Sequence, residues 1–576
     1  MKYYLGISLG YNASACIFSN SGELLYAASE ERFTGEKNCK KFPFNTIKNG
    51  LKELGITGDE ITYCAYSHYQ TYYPYDILRH TFNIDDSISD RPKRNIAIDT
   101  FGEKALISIF LGTMNIRCPI ERINHHLSHA MSSFYFYPVN KDMTNYYIVA
   151  DGFGDGDSIS IFCDYKGWNK IMSLPMCKSL GLLYQFTTGA LGYAEHKHEG
   201  KITGLAAFGK PVYYDAYDKL FTSFETLEND KEIDCKSPII DFSIFQQMKL
   251  LTYGFVQDIL LDSKDHFETS KDIAASLQNY VEDKIIEFIK PYLSKECNVY
   301  LSGGLFANVK INQRIHEKID TVKNIYVAPP MGDEGTCVGS VVYKLYPNVI
   351  KDCTNTSVRK GTFDCRSYED VLSILREYPR FIVTEKFNTI SECTKNIALD
   401  LTQKKIICVF DGRMEFGPRA LIGRSIIYNC KDKSSNDWLN KQLGRTEFMP
   451  FAPFCKSEYC DDLFYNCEGK KNSMRHMTVT VDCKDEFVNN YPAACHIDNT
   501  ARPQIVFKDE YPLAWKILDE YEKMTGEKVL INTSFNLHNY PIIENIETAI
   551  SSWFNSNTDS LYITCSDGYV CISRLK

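Results

Sequence analysis

The sequence predicts an α/β protein of at least two domains, the first of them internally duplicated. Three observations carry this expectation. The chain of 576 residues is too long for one hydrophobic core. Short strand patterns alternate with segments of helical period. A strand–turn–strand pattern near the N-terminus recurs about 140 residues later, a sign of a repeated fold. The composition, 44% hydrophobic and 24% charged, is that of an ordinary globular protein. A net charge of −9 argues against a broad nucleic-acid footprint. No apolar run approaches the length that spans a bilayer. The N-terminus enters a strand pattern directly, without the apolar core of a signal peptide, so a cytoplasmic location is expected. The 21 cysteines are odd in number and include no Cys-x-x-Cys pair. They read as small buried hydrophobes, not a disulfide framework or a thiolate zinc site.

Taken in order, Leu5, Ile7 and Leu9 alternate and end at Gly10. Residues 14–18 and 23–27 follow as strands around a Ser-Asn-Ser-Gly turn, giving an antiparallel meander. Small turn residues of this kind let loop amides face a phosphate. The charged segment Ser29-Glu30-Glu31-Arg32-Phe33 leads to Lys37 and Lys40-Lys41. It reads either as a solvated loop or as a lid over anionic groups. In Asn124-His125-His126-Leu127-Ser128-His129-Ala130, three of twelve histidines crowd together. On a helix, His125 and His129 share a face and can hold one metal ion, while His126 points elsewhere. An imidazole pair suits iron, zinc or nickel but is two ligands short of a site. A capped helix with surface histidines is the plainer reading. The stretch 146–156 and the strand 158–162 repeat the meander. Asp151 closes its apolar run, placed either to ligate a metal or to form a turn.

The Gly-spaced stretch from His198 to Gly209 suits close backbone packing. Residues 211–270 look irregular. Ile273, Leu277, Val281, Ile285 and Ile289 give residues 271–293 a helical period. The strand 299–301 runs into Ser302-Gly303-Gly304 and a helix, a natural anion site. After the strand 325–328, Asp333 completes a set of two histidines and two aspartates. The pattern lapses at 347–359, which sets domains at 1–350 and 360–576. The second domain has strands at 381–384, 406–410 and 529–531. Arg419, Arg445 and Arg502 lie in short loop-like stretches, with a Ser/Asn turn at Asn532 and Ser534. Three such guanidiniums suit a polyphosphate, although any one could be a surface ion pair.

As a set, these motifs resemble the O-carbamoyltransferases of the NodU and TobZ type. SEERF, HHLSHA, ADGFGDG, EGKITGLAAFG, SGGLFAN, PPMGDEG, GPRALIGRSI, FMPFAP and NTSFN occur in that family's order. The likeness covers nearly the whole chain, with a weak patch at 211–270. The resemblance implies a Kae1-like first domain, of the duplicated actin/Hsp70/sugar-kinase type, and a YrdC-like α/β second domain. It implies that carbamoyl phosphate and ATP, with Mg, form carbamoyladenylate in the second domain. Transfer to a hydroxyl of a small-molecule, natural-product acceptor would follow in the first, aided by one mononuclear metal, Fe(II) in the characterised case.

Carried over by motif, His125, His129, Asp151 and Asp333 would bind the metal. Gly303, Gly304 and Asn308 would line the adenylate site. Arg419, Arg445, Arg502, Asn532 and Ser534 would hold carbamoyl phosphate and ATP. Tyr11, Asn12 and Lys37 would join His125 and His129 in catalysis. Neither nucleic acid nor membrane is implied, and a homodimer is compatible.

The sequence also departs from the family. Many members read Gly-His-Asp-Ala-Ser where this chain has Gly10-Tyr11-Asn12-Ala13-Ser14, so Tyr11 replaces an acceptor-side histidine. A phenol of pKa about 10 is a poor base at neutral pH. Leu443 and Met449 replace two phosphate-binding cations, with Lys441 available to stand in for one. Two other readings stay open. One is a Kae1-like kinase or RNA-modifying carbamoylation enzyme. The other is a nucleotide-binding member that has lost its chemistry.

Overall fold

The computed structural model describes residues 2–68, 81, 96–164, 167–227, 242–350, 357–378, 382–444, 448 and 450–574. The chain divides into two compact units, Met1–Thr34 with Asn38–Thr356 and Gly35–Lys37 with Ser357–Lys576.

The first unit contains two five-stranded sheets. Tyr3–Leu9 (β1), Ser14–Ser19 (β2), Leu24–Ser29 (β3), Ile61–His68 (β4) and Ile120–Ile123 (β5) form one. Thr144–Gly154 (β6), Asp157–Cys163 (β7), Asn169–Pro175 (β8), Cys297–Ser302 (β9) and Val322–Val327 (β10) form the other. The first runs β3-β2-β1-β4-β5 and the second β8-β7-β6-β9-β10, the same order. In each, three strands form an antiparallel meander and two more add in parallel. The repeated meander is therefore a repeat of a whole sheet. The shared order shows the duplication that the repeated meander implied.

Each repeat ends alike, in a strand followed by a loop and a helix. β5 leads to the helix His125–Phe136, and β10 to the helix Thr336–Leu345. The two helices pack on each other, and each lies on the other repeat's sheet. Glycines permit the approach. A Cβ on Gly339 would fall 1.7 Å from the Ser128 carbonyl oxygen, and one on Gly6 of β1 would fall 2.2 Å from that of Cys337.

The interval 211–270 differs from the irregular structure its sequence suggests. It carries the helices Tyr214–Thr226 and Phe242–Leu261 and the start of His266–Ile289. Tyr217, Leu220, Phe221 and Phe224 are buried at helical spacing, a stripe hidden among polar neighbours. His266–Ile289 begins before the apolar period does because Asp265 accepts hydrogen bonds from the Phe267 and Glu268 amides. The small-residue stretch holds the helix Glu199–Ala206. Just beyond it, Gly209 packs against the Lys271 carbonyl.

The second unit is a mixed eight-stranded sheet. Its strands are Ile382–Phe387 (β11), Ile407–Phe410 (β12), Arg424–Tyr428 (β13), Ala452–Lys456 (β14), Gln504–Val506 (β17), Val529–Ser534 (β18), Ser560–Cys565 (β19) and Gly568–Arg574 (β20). Val481–Asp482 (β15) and Thr500–Ala501 (β16) pair separately. The large sheet runs β11-β20-β19-β12-β13-β18-β14-β17. Its core includes Cys408, Phe410, Ile531 and Trp553. The described cysteines are free and mostly buried. No helix among the described residues is long and apolar enough to cross a membrane.

The Gly339–Ser128 contact makes a stability prediction. Gly339→Ala should destabilise the first unit by about 1–3 kcal/mol, the usual cost of overpacking. Gly112→Ala, where a Cβ meets nothing, should not. Urea unfolding of the two variants measures the difference.

Candidate functional site

The helix His125–Phe136 starts where the sequence expects. Asn124 caps it, its side chain accepting from the Leu127 amide. Asp155 holds the same end: it accepts from the His125 amide at 2.8 Å and from Asn124 Nδ2 at 3.1 Å, and pairs with Arg122 at 2.6 Å. Arg122 in turn donates to the His68 carbonyl at 3.2 Å. Asp155 was not among the residues singled out in the sequence. Its only signal there is its place as the second aspartate of Asp151-Gly152-Phe153-Gly154-Asp155.

All three histidines of the motif are buried, so they are not the surface residues of the plainer reading. His126 turns away, its Nδ1 lying 2.9 Å from Ser160 Oγ, and burial holds its pKa well below the usual histidine value. His125 and His129 share a face, with their Nε2 atoms 3.2 Å apart. A Cβ on Gly154 would fall 2.2 Å from His125 Cδ2, so a glycine is needed for β6 to pass this ring.

Asp151 Oδ2 lies 3.1 Å from His125 Nε2 and 3.9 Å from His129 Nε2. Asp333 Oδ1 lies 3.6 Å and 3.5 Å from the same two atoms. β6 runs on through Gly154, so Asp151 sits within the strand, at a break in its register with β7. The four donor atoms lie within 4.8 Å of one another. A tetrahedron with metal–ligand bonds of about 2.1 Å has edges near 3.4 Å, and an octahedron near 3.0 Å. The donors therefore sit at the spacing of one coordination shell. Two imidazoles and two carboxylates suit a divalent transition metal. Asp151 Oδ1 accepts the Gly304 amide at 3.0 Å, which leaves Oδ2 to face the histidines. Burial disfavours charge on His125, but Asp333 and Asp151 outweigh it and raise its pKa. Burial likewise opposes the Asp151 carboxylate, and the hydrogen bond from His125 with the field of His129 pulls its pKa well down.

Next to Asp333, Glu334 is buried, and its pKa is pushed up to about 7 by desolvation. It accepts from Asn12 Nδ2 at 3.0 Å. Ser8 Oγ donates to the Asp333 carbonyl and Ser14 Oγ to the Glu334 carbonyl, both at 2.8 Å. The turn carrying Tyr11 and Asn12 is thus fastened to the loop carrying Asp333. Lys37 is exposed. Gly303 has φ 104°, and a Cβ there would fall 2.3 Å from the Ala150 carbonyl. Asn308 caps the helix Val309–Lys318 and donates to Gln278 Oε1 at 2.8 Å.

In the second unit, Asn532 Nδ2 donates to the Ala420 carbonyl at 3.0 Å and to Gln504 Oε1 at 2.7 Å. The segments bearing Arg419, Arg502 and Asn532 therefore meet. Ser534 Oγ donates to Asn536 at 2.6 Å. Burial lowers the Arg419 guanidinium to about 10. Arg424, unremarked in the sequence, is fully buried over the Phe410 ring at 3.5 Å and is also lowered to about 10 by burial. Glu415 Oε1 shapes this loop by accepting the Leu421 and Gly423 amides. Leu443 is buried in the core and Lys441 is exposed. A recess of about 250 Å³ is lined by Leu443, Gly444, Phe535, Asn536 and His538 among others. Arg445 and Met449 lie outside the described residues.

Two families match the chain: Carbamoyltransferase N-terminus over residues 3–342 and Carbamoyltransferase C-terminus over residues 398–566. Protein MJ1051 of Methanocaldococcus jannaschii is 29% identical over 99% of this chain and 100% of its own. Nodulation protein NolNO of Sinorhizobium fredii is 24% identical over 95% of this chain and 78% of its own. Nodulation protein U of Rhizobium tropici is 35% identical over 46% of this chain and 44% of its own.

The hold of Asp155 on the helix start makes a prediction. Asp155→Ala should lower affinity for Fe(II) or Zn(II) by about 10–100-fold, the usual effect of losing an outer support. Ser160→Ala, which touches only His126 of the three histidines, should leave it unchanged. Chelator competition on both variants gives the comparison.

Proposed function

Because the chain belongs to the carbamoyltransferase family, we propose that it makes carbamoyladenylate from carbamoyl phosphate and ATP and transfers the carbamoyl group to a hydroxyl of a small-molecule acceptor. The observation that carries this reading is the convergence of His125, His129, Asp151 and Asp333 on one point. Those four residues would hold a divalent metal, Fe(II) in our reading. When bound, it would supply Lewis-acid stabilisation of negative charge developing on the carbamoyl oxygen.

The chain's own residues do the rest. In the second unit, Arg419 and Arg502, with Arg445, grip the phosphates of carbamoyl phosphate and Mg-ATP, a task for which paired guanidinium donors are suited. Burial of the Arg419 guanidinium strengthens its contact, because little water competes for the charge. Asn532 and Ser534 complete the lining, Asn532 by tying the Arg419 loop to the strand of Gln504. In the first unit, the Gly303–Gly304 turn lets backbone approach the adenylate closely. Asn308 fixes the helix that follows. Asn12 sets the turn on which Tyr11 presents a neutral hydroxyl to orient the acceptor.

The test separates the two half-reactions. The wild-type protein should release AMP from ATP only when carbamoyl phosphate is present, whereas a kinase would give ADP. Arg502→Ala should slow carbamoyladenylate formation by about 10–100-fold, the effect of losing a charged contact of roughly 1.5–3 kcal/mol. His129→Ala should form it at the normal rate and fail at transfer. Mass spectrometry of the intermediate reads both, and normal formation by Arg502→Ala would show the second site to be misassigned.

A further inference from the structure

We infer that His196 accepts the proton of the acceptor hydroxyl during carbamoyl transfer. The inference rests on the proposed function and supplies the base that Tyr11 does not.

The His196 ring stacks on the Tyr11 ring, with centroids 4.0 Å apart and planes 25° apart. Lys40 Nζ lies 3.7 Å from the centroid of the same Tyr11 ring. Three hydrogen bonds fasten the Tyr11 turn to the Asp333–Glu334 loop. His196 therefore stands beside the metal-ligand loop although it is far from it in sequence.

Its own backbone is held in an unusual state. His196 has φ 63°, a left-handed conformation that costs a non-glycine residue energy. Both sides of the residue are pinned: its amide donates to Glu199 Oε1 at 2.6 Å, and its carbonyl accepts from Asn38 Nδ2 at 2.7 Å. The result is an imidazole laid on the tyrosine. Its ring nitrogens hydrogen-bond no described residue. The neighbouring His198 is committed differently, its Nδ1 accepting the Ala194 amide at 3.1 Å.

The surroundings suit a proton acceptor. The protein packed around the ring, and then the charge of Lys40, push its pKa down to about 4 against the pull of Glu195, Asp333 and Asp151. The imidazole is thus neutral at pH 7, with a lone pair available. Such a base is weak towards a free alcohol. It is strong enough once the alcohol oxygen has begun to bond to carbon, because the developing oxonium is a strong acid.

The step balances. The acceptor oxygen bonds to the carbamoyl carbon of carbamoyladenylate, and the carbon–oxygen bond to the AMP phosphate breaks. AMP leaves with that electron pair, and the hydroxyl proton passes to a His196 ring nitrogen. The products are a carbamate ester, AMP and an imidazolium that releases its proton to water.

Molar glycerol serves as the probe alcohol and hydroxylamine as a probe nucleophile that attacks without a base. Rates are taken per carbamoyladenylate formed. His196→Ala and His196→Gln should lose at least about 100-fold in the glycerol reaction, a usual share for general-base catalysis. Both should keep the hydroxylamine reaction, and free imidazole should restore glycerol transfer to His196→Ala. Equal loss with both nucleophiles, or none with glycerol, overturns the assignment. Absence of carbamoyladenylate in the wild-type protein would instead overturn the proposed function, and this inference with it.

Discussion

The first unit depends on how closely two helices approach at Gly339. The backbones of His125–Phe136 and Thr336–Leu345 meet where even a methyl group would collide with the Ser128 carbonyl. Each helix ends one of two identical strand orders, so the contact joins the halves of a duplication. One helix carries His125 and His129, and Asp333 immediately precedes the other. Any widening of the contact would part the donors, because helix packing is discrete and close. The hairpins of the two repeats correspond as well. The second presents Asp151 to the metal-ligand cluster, and the first presents Tyr11 beside it. One fold element, used twice, thus supplies a carboxylate on one side and a phenol on the other.

Gathering two imidazoles and two carboxylates in a largely buried place is unfavourable unless something answers their lone pairs. Protein groups answer only in part. Gly304 takes one oxygen of Asp151. Arg122 is spent on Asp155, which steadies the helix start without entering the cluster. The inward atoms are left for a cation, and the chain supplies none among these contacts.

The second unit shows the opposite arrangement. Arg419 and Arg424 lose solvation on burial, and their pKa values fall accordingly. Arg359 is the contrast: burial pushes it down too, but its ion pair with Asp411 at 2.8 Å raises it overall. Arg424 meets backbone instead, donating to the Asp411, Gly412 and Gly423 carbonyls, which answer its hydrogen bonds without balancing its charge. One unit thus gathers carboxylates and imidazoles about one point, and the other buries guanidiniums.

Taken alone, the sequence determined what depends on near neighbours. Strand alternation, the meander and its repeat, the shared face of His125 and His129, and the turn at Gly303–Gly304 are all set by spacing along a few residues, because backbone periodicity is local. The motif set adds Asp151 and Asp333. The helices within 211–270 were missed because their apolar stripes are thin and become visible only against what they pack on. Asp155, Glu334, Arg424 and His196 were missed for a related reason. An aspartate in a turn, a glutamate after an aspartate, or a histidine in a charged loop has no distinguishing pattern. Tertiary structure decided their roles by choosing what stands opposite them: Arg122 against Asp155, Asn12 against Glu334, Phe410 against Arg424 and Tyr11 against His196. The pairs in the first unit are distant in sequence and meet only where its chain closes up, whereas Phe410 and Arg424 face each other across the β12–β13 ladder.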